Sequence, residues 1–349
     1  MRGTAEAAWL RPDGGAWSEV LRRVRHDAYH LPGYVDMQAR SMGGTAAGFV
    51  YREGDDVFFL PVVLREVPGT DQFDGVSPYG YPGPASNVAV DDTDFWRRAS
   101  RALVDALGER RAISCFVRLN PVLEVPLPVL AESGTVVQHG HTVAIDLTLG
   151  LEKIQSHTRA NHRRQINRAR RNGLELVLDD WSRVTTFVDI YHETMRRVGA
   201  DDYYFFDVAH ISGLRAAMGD SVHLVLVDVE GEACAGGVFF ERDGIVQYHL
   251  GATRTGALSM QPTKLMFADI SGWAKQRGNT VLHLGGGVGG EDNPLFRFKA
   301  GFSPWHPAFG TWRIVVDERG YAEALAAHHP GADAADRRGF FPAYRAIIG

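Results

Sequence analysis

Two stretches of the chain follow the same plan. Residues 46–67, "AAGFVYREGDDVFFLPVVLREV", read as a β-hairpin because two β-rich runs flank the turn residues "EGDD". A shaped Pro/Gly loop follows, "SPYGYPGPASN" (77–87), then a helix with an acidic start, "DDTDFWRRASRALVDALGE", and the strand "AISCFVRLNP". Residues 222–253, "VHLVLVDVEGEACAGGVFFERDGIVQYHLGAT", read as a three-strand meander turning at "EGE" and "RDG". The helix "QPTKLMFADISGWAKQRGN", with Pro262 at its start and Gly278 near its end, and the strand "TVLHLGGG" complete the unit. Hairpin, helix, glycine, strand thus spans 46–120 and again 222–287, which predicts a tandem pair of similar α/β domains. Before the first unit, helical spacing predicts a helix over 17–30 with Trp17, Val20, Leu21 and Val24 on one face.

A length of 349 residues allows about two ordinary domains, and 45% apolar with 23% charged residues suits a folded soluble protein. The formal net charge of −5 argues against a general nucleic-acid coat but permits a local basic groove. No run of 18 apolar residues occurs and the N-terminus has no secretory pattern, so the expectation is a cytoplasmic protein without a membrane span. Cys115 and Cys234 sit in apolar runs without metal-ligand spacing and read as buried core residues, with no metal and no disulfide framework.

Between the two halves lies a segment of one-sign charge. Residues 153–171 carry Lys153, Arg159, Arg163, Arg164, Arg168, Arg170 and Arg171 and no acidic side chain. Helical spacing puts Arg159, Arg163 and Arg170 on or near one face and has Gly173 close the helix. A solvated face ordinarily mixes both signs, whereas one-sign clustering on a net-acidic chain is an anion-binding signature. Among 37 cationic residues only four are lysines, namely Lys153, Lys264, Lys275 and Lys299. Lys299 stands between Phe298 and Phe302, just after the glycines 285, 286, 287, 289 and 290. Those glycines are either a flexible connector or a backbone that approaches a ligand closely.

Read in order, the second half resembles the Fem family of transferases, within the wider acyltransferase class built on the GNAT fold. The matching pieces are "TRANHRRQINRARRNGLEL", "FVDIYHETMRR" followed by "YYFF", "YHLGAT", "MQPTKLMFADISGWAKQRG", "LHLGGG" and "LFRFKAGFS"; "SPYGYPGP" looks like the family's glycine-proline loop. The resemblance implies an α/β (α+β) chain of two tandem GNAT-like domains, with mixed central sheets flanked by helices. The first, on the acceptor side, is expected over 1–145 plus about 316–349; the second, over 146–315, is expected to take the donor and carry the catalytic lysine. It also implies peptide-bond formation from aminoacyl-tRNA as co-substrate, without ATP, metal or other cofactor, by a monomer.

The same resemblance puts Phe298 and Lys299 at the reaction centre. It places Tyr248, Tyr204, Arg196, Tyr79, Tyr81, Gly286 and Gly287 at substrate, and Arg159, Arg163, Arg164, Arg168, Arg170 and Arg171 on tRNA. Attack of an amine on an ester builds negative charge on the carbonyl oxygen, and an ammonium is a compact charge that can face one oxygen where a guanidinium presents a fork. Of the neighbours Tyr248 and His249, strand alternation allows only one to face the cleft. No general base stands out among Asp146, Asp201, Asp202 and Asp292. The expected acceptor is a peptide or small-molecule amine, of natural-product or cell-wall type. Because "HDAYHLPGYVDMQAR" lacks the lysine that classical members carry there, the sequence weighs against a UDP-linked or lipid-linked precursor.

Two other functions fit the fold class. An acyl-CoA-dependent N-acyltransferase ordinarily carries R/Q-x-x-G-x-G/A after the fourth strand. Here "RTGALSMQPTK" stands in that place, and the nearest approach, "RSMGGT" (40–45), precedes a strand. A tandem domain that only binds a peptide or nucleic acid has no need of the Phe-Lys pair, which is present.

Overall fold

The strand pairs close at the turn residues that the sequence marks. In the computed structural model, which describes residues 4–287 and 291–346, strand Val222–Val229 turns into Glu232–Arg242 through Glu230 (φ +53°) and Gly231 (φ +83°). That strand turns into Ile245–Thr253 through Asp243 (φ +46°) and Gly244 (φ +79°). Two successive positive φ values make each a two-residue turn whose twist matches that of the strands.

The chain divides into two units, Met1–His139 with Ala308–Gly349, and Gly140–Pro307. Both boundaries fall earlier than the expected 145 and 315. The second does so because strand Ala308–Val315 pairs with Ala112–Arg118, so the returning segment enters the first unit at the start of that strand.

In the first unit the sheet order is Ala5–Leu10, Thr45–Glu53, Asp56–Glu66, Phe73–Val76, Ala112–Arg118, Ala308–Val315. Neighbours are antiparallel except Phe73–Val76 with Ala112–Arg118, which are joined by the crossover helix Thr93–Glu109. The Asp92 carboxylate caps that helix, accepting from the Phe95 amide at 3.3 Å.

The second unit has the order residues 142–146, Val281–Gly286, Ile245–Thr253, Glu232–Arg242, Val222–Val229, Leu174–Leu178. Again one pair is parallel, Ile245–Thr253 with Val281–Gly286, and again a helix, Pro262–Gln276, makes the crossover. That helix buries Leu265, Met266, Phe267, Ile270 and Ala274 in the core, with Val225, Phe239, Leu282 and Leu284 in the same cluster. The repeated plan is therefore a repeated mixed α/β topology. Cys115 and Cys234 are both buried and free.

Two predicted helices are broken by side-chain and tertiary hydrogen bonds. The helix expected over 17–30 ends at Leu21, after which Asp27 and His30 form a capping box around the short 3-10 turn Ala28–His30. Trp17, Val20, Leu21 and Val24 are buried nonetheless. The basic stretch is two helices, Leu151–His157 and Ala160–Arg171, ending before Gly173 (φ +75°). At the break, Thr158 and Arg159 are extended, and the Arg159 amide donates to Gly301 O at 2.7 Å instead of to its own helix.

The returning segment of the first unit is held by one buried carboxylate. Asp74 has no exposed surface and accepts from Arg65 Nε at 2.8 Å, from Tyr344 Oη at 3.1 Å and from Arg345. Asp74→Ala leaves two guanidinium groups without their counter-charge, so we expect a loss of about 3–5 kcal/mol in urea unfolding, with new proteolytic cleavage near residue 340.

Candidate active site

Lys299 ends the short helix Pro294–Lys299, whose start is capped by Asn293 Oδ1 accepting from the amides of Leu295 and Phe296, both at 3.1 Å. The residue is 6% exposed, and its amine donates to the carbonyl of Gly286, the last residue of strand Val281–Gly286, at 2.8 Å. A Cβ at Gly287 would collide with Glu291 O and Asn293 Oδ1, so the glycine permits a close return of the chain and is not merely a connector. Gly289 and Gly290 lie outside the described residues.

Tyr248 presents its ring 5.6 Å from Lys299 Nζ and packs edge-on against Phe267 at 4.7 Å. It sits within strand Ile245–Thr253, which runs on to Thr253, and not at the strand's end. Gly251 makes room for it, since a Cβ there would overlap the Tyr248 hydroxyl. His249 points to the other side and stacks on Phe240 at 4.2 Å.

Burial governs the titration here. It pushes the Lys299 amine down to about 7, so near neutral pH the group is poised between ammonium and amine. Burial, with the Lys299 charge, pushes His283 down to about 3 and keeps that imidazole neutral beside Gln247 Oε1 at 2.6 Å. The Tyr248 hydroxyl is raised by burial and stays protonated.

A cavity of about 310 Å³ opens onto this amine, lined by Tyr248, Phe298 and Lys299 together with Thr194, Arg197 and Lys264 among others. Three of these, Thr194, Arg197 and Lys264, are not site candidates in the sequence reading. Lys264, 6% exposed, bonds Gln165 Oε1 and stands 5.6 Å over the Phe298 ring, and burial lowers its proton affinity. Arg197 donates to Thr253 O at 2.9 Å and to Thr255 Oγ1 at 3.0 Å. The same scarcity that marks Lys299 marks Lys264, and Thr194 and Arg197 share a face of helix Val184–Val198 at i, i+3.

Arg196 lies off that face, exposed and outside the cavity lining. Tyr204 also lies outside it, edge-on to Tyr203 at 5.2 Å. Tyr79 and Tyr81 belong to the first unit; the Tyr79 carbonyl accepts from Tyr34 Oη at 2.9 Å, and the Tyr81 ring meets Phe309 at 5.2 Å. None of the four aspartates considered as bases lines the cavity. Asp146 Oδ1 accepts from Thr148, and Asp292 pairs with Arg297 at 3.0 Å.

The basic segment is fastened to the Phe-Lys segment. Besides the Arg159 amide, Thr158 Oγ1 donates to Phe302 O at 3.4 Å and Arg159 Nη1 to Arg297 O at 3.3 Å. His162 Nε2 lies 3.0 Å from Phe298 O, its ring 4.9 Å from that of Phe302. Arg163 reaches carbonyls of Gln155, Ser156 and Thr158 at the end of the preceding helix, and Arg170 pairs with Asp269. The face expected to meet an anion, Arg159, Arg163 and Arg170, is thus the one engaged with protein. Arg164, Arg168 and Arg171, spaced i, i+4, i+7, form an exposed face on which Arg164 bonds Asn161 Oδ1 and Arg171 bonds Asn167 O of the same helix.

A family model described as an acetyltransferase (GNAT) domain matches residues 156–299. The solved structure of FemX matches at a TM-score of 0.73 with 12% identity, covering 91% of this chain and 99% of that one. The chain has a Fem-like GNAT fold. L-PGS from Bacillus licheniformis matches at 0.57 with 14% identity, over 93% of this chain and 98% of that one. The C-terminal domain of a putative lysylphosphatidylglycerol synthetase from Agrobacterium fabrum matches at 0.55 with 15% identity, over 86% and 90%. No curated protein matches the sequence. Among the described residues no helix is long and apolar enough to cross a membrane. The matched segment ends at Lys299.

Gly301 in "FKAGF" allows the His162 ring to lie on the backbone, since a Cβ there would overlap that ring, whereas at Gly256 nothing lies within 4 Å. Gly301→Ala is therefore expected to cost about 1–3 kcal/mol in thermal unfolding and to expose residues 151–171 to protease. Gly256→Ala should do neither.

Proposed function

We propose that the protein is an aminoacyltransferase that moves an amino acid from aminoacyl-tRNA to the amine of a peptide or small-molecule acceptor. The observation that carries this reading is the fastening of a one-sign basic helix, at Thr158, Arg159 and His162, to the segment whose Lys299 amine is buried at a cavity. A polyanion lying along Arg164, Arg168 and Arg171 would have the reactive end of its cargo close to that cavity. The fold shared with FemX and with a domain of a putative lysylphosphatidylglycerol synthetase supports an aminoacyl donor.

In the reaction the neutral acceptor amine attacks the ester carbonyl carbon, forming the C–N bond and placing negative charge on the carbonyl oxygen. The Lys299 ammonium faces that oxygen, while Phe298 and Tyr248 limit access of water. Collapse breaks the bond to the ribose oxygen, which takes up the proton that the amine loses. No carboxylate among the described residues lines the cavity, and the proton passes from the amine to the ribose oxygen within the substrates. The first unit, with Tyr79 and Tyr81, is left to the acceptor.

An acyl-CoA donor is the second reading, since the matching family is described as an acetyltransferase. After Thr253 the chain forms the 3-10 turn Thr255–Met260 and enters helix Pro262–Gln276 without a Gly-x-Gly diphosphate loop. Transfer from tRNAs charged with labelled amino acids, assayed against a panel of amines beside acyl-CoA, decides between the two. Absence of transfer from every charged tRNA overturns the proposal.

Lys299→Met should lower kcat about 100- to 1,000-fold without a matching change in stability, and Lys299→Arg should not restore it. Because burial sets the amine near 7 and the ammonium is the active form, the rate of the chemical step, corrected for the neutral fraction of the acceptor amine, should fall as pH rises above about 7. Replacing Arg164, Arg168 and Arg171 by alanine should reduce the slope of log affinity for tRNA against log salt by about two to three, measured by filter binding.

A further inference from the structure

The cavity has a charge composition that plain aminoacyl transfer does not explain. Three cations line it, Arg197, Lys264 and Lys299, and none of its lining residues is acidic. Both lysines are 6% exposed, and among the described residues each amine has one protein acceptor, Gln165 Oε1 for Lys264 and Gly286 O for Lys299. An ammonium has three N–H donors, so each keeps two for a ligand. One cation facing the carbonyl oxygen suffices for the reaction, which leaves Lys264 and Arg197 without a role in it.

An aminoacyl ester with an uncharged side chain brings an α-ammonium, and so adds a fourth positive charge to a site with no carboxylate. An ester of an amino acid whose side chain ends in a carboxylate is neutral overall, and its carboxylate is the counter-charge that the cavity lacks. The rest of the lining, Tyr248, Phe267, Phe298, Leu258 and Leu295, is apolar or aromatic. Charge-assisted hydrogen bonds in such surroundings are stronger than neutral ones.

We propose that the transferred amino acid is acidic, aspartate or glutamate, with its side-chain carboxylate held by Lys264 and Arg197 while Lys299 faces the ester carbonyl. Lys264 is then a specificity-determining residue, placed by Gln165 from the basic helix and by the Phe298 ring. The proposal rests on the aminoacyl-tRNA reading.

The test compares isosteres that differ in charge. tRNAs charged with Asp, Asn, Glu and Gln are assayed for transfer, and amide-linked 3′-aminoacyl-adenosine analogues of the same four are assayed for binding by calorimetry. The acidic member of one pair should exceed its amide about ten- to hundredfold in kcat/KM and in affinity, the range expected for hydrogen bonds to a charged group. Lys264→Met should bring the acidic donor down to the level of its amide. Should that variant fold poorly, Lys264→Arg, which keeps the charge, should retain the preference. Equal use of acid and amide, or a preference untouched by Lys264→Met in a folded protein, overturns the proposal while leaving aminoacyl transfer standing. Tight binding of inorganic pyrophosphate or coenzyme A that depends on Lys264, without preference for acid over amide, also overturns it and assigns these cations to a diphosphate. Absence of transfer from all charged tRNAs, with the acid preference intact in the binding assay, counts instead against the aminoacyl-tRNA reading.

Discussion

A buried amine that donates to a carbonyl oxygen is an uncommon arrangement, and the second unit is built to hold one. The bond from Lys299 Nζ to Gly286 O joins the end of a strand to the end of a short helix. Both ends must therefore be fixed. Asn293 fixes the helix by capping it, and Gly287 lets the backbone return closely enough for the two to meet. A carbonyl offers a partial charge where a carboxylate offers a full one, so burial is left largely uncompensated and the amine's proton affinity drops toward neutrality. With a carboxylate in place of Gly286 O, the same lysine would be one half of an ion pair, protonated throughout and less available to chemistry.

Parts of the sequence that record only local preferences were legible, and those settled by distant contacts were not. The meander could be read because Glu230–Gly231 and Asp243–Gly244 are turn residues in their own right, and the crossover helix because Pro262 and Gly278 bracket it. The two misread helices are interrupted where the backbone finds a partner outside the helix: Asp27 with His30 in one, and Arg159 with Gly301 in the other. Nothing within residues 151–171 announces a hydrogen bond to residue 301. The same limit applies to the arginines. Charge clustering shows that a basic surface exists, but the carbonyls that engage Arg163 and the carboxylate that engages Arg170 become visible only once the chain is folded.

Within the site, scarcity is the informative signal, and it marks two lysines. Lysine is rare enough here that each instance calls for a reason, and Lys264 has one as clear as that of Lys299: a buried amine on the same cavity. It is harder to notice because it lies near the start of an amphipathic helix, where a lysine ordinarily faces solvent. Arg196 and Arg197 differ in the reverse way. They are chemically identical neighbours, and only the placement of helix Val184–Val198 against Thr253 decides which of them reaches the cavity.

Other buried charges in the chain show what the cavity lacks. In the first unit Asp74 meets two arginines. In the second, burial works against a charge on His223, but the carboxylates of Asp179 at 2.8 Å and Glu241 at 3.1 Å outweigh it and raise the imidazole to about 9. Glu241, which burial alone would raise, is pulled down to about 2 by His223, Arg277 and Asn279. At Asp74 and at His223, opposite charge stands beside the buried group. Around Lys264 and Lys299 no carboxylate among the described residues lines the cavity, and the protein retains two desolvated amines at a cost in stability that packing must offset. An arrangement of that kind is least costly when the missing negative charge arrives with the ligand, so that the same interaction that stabilises the amines also selects what enters.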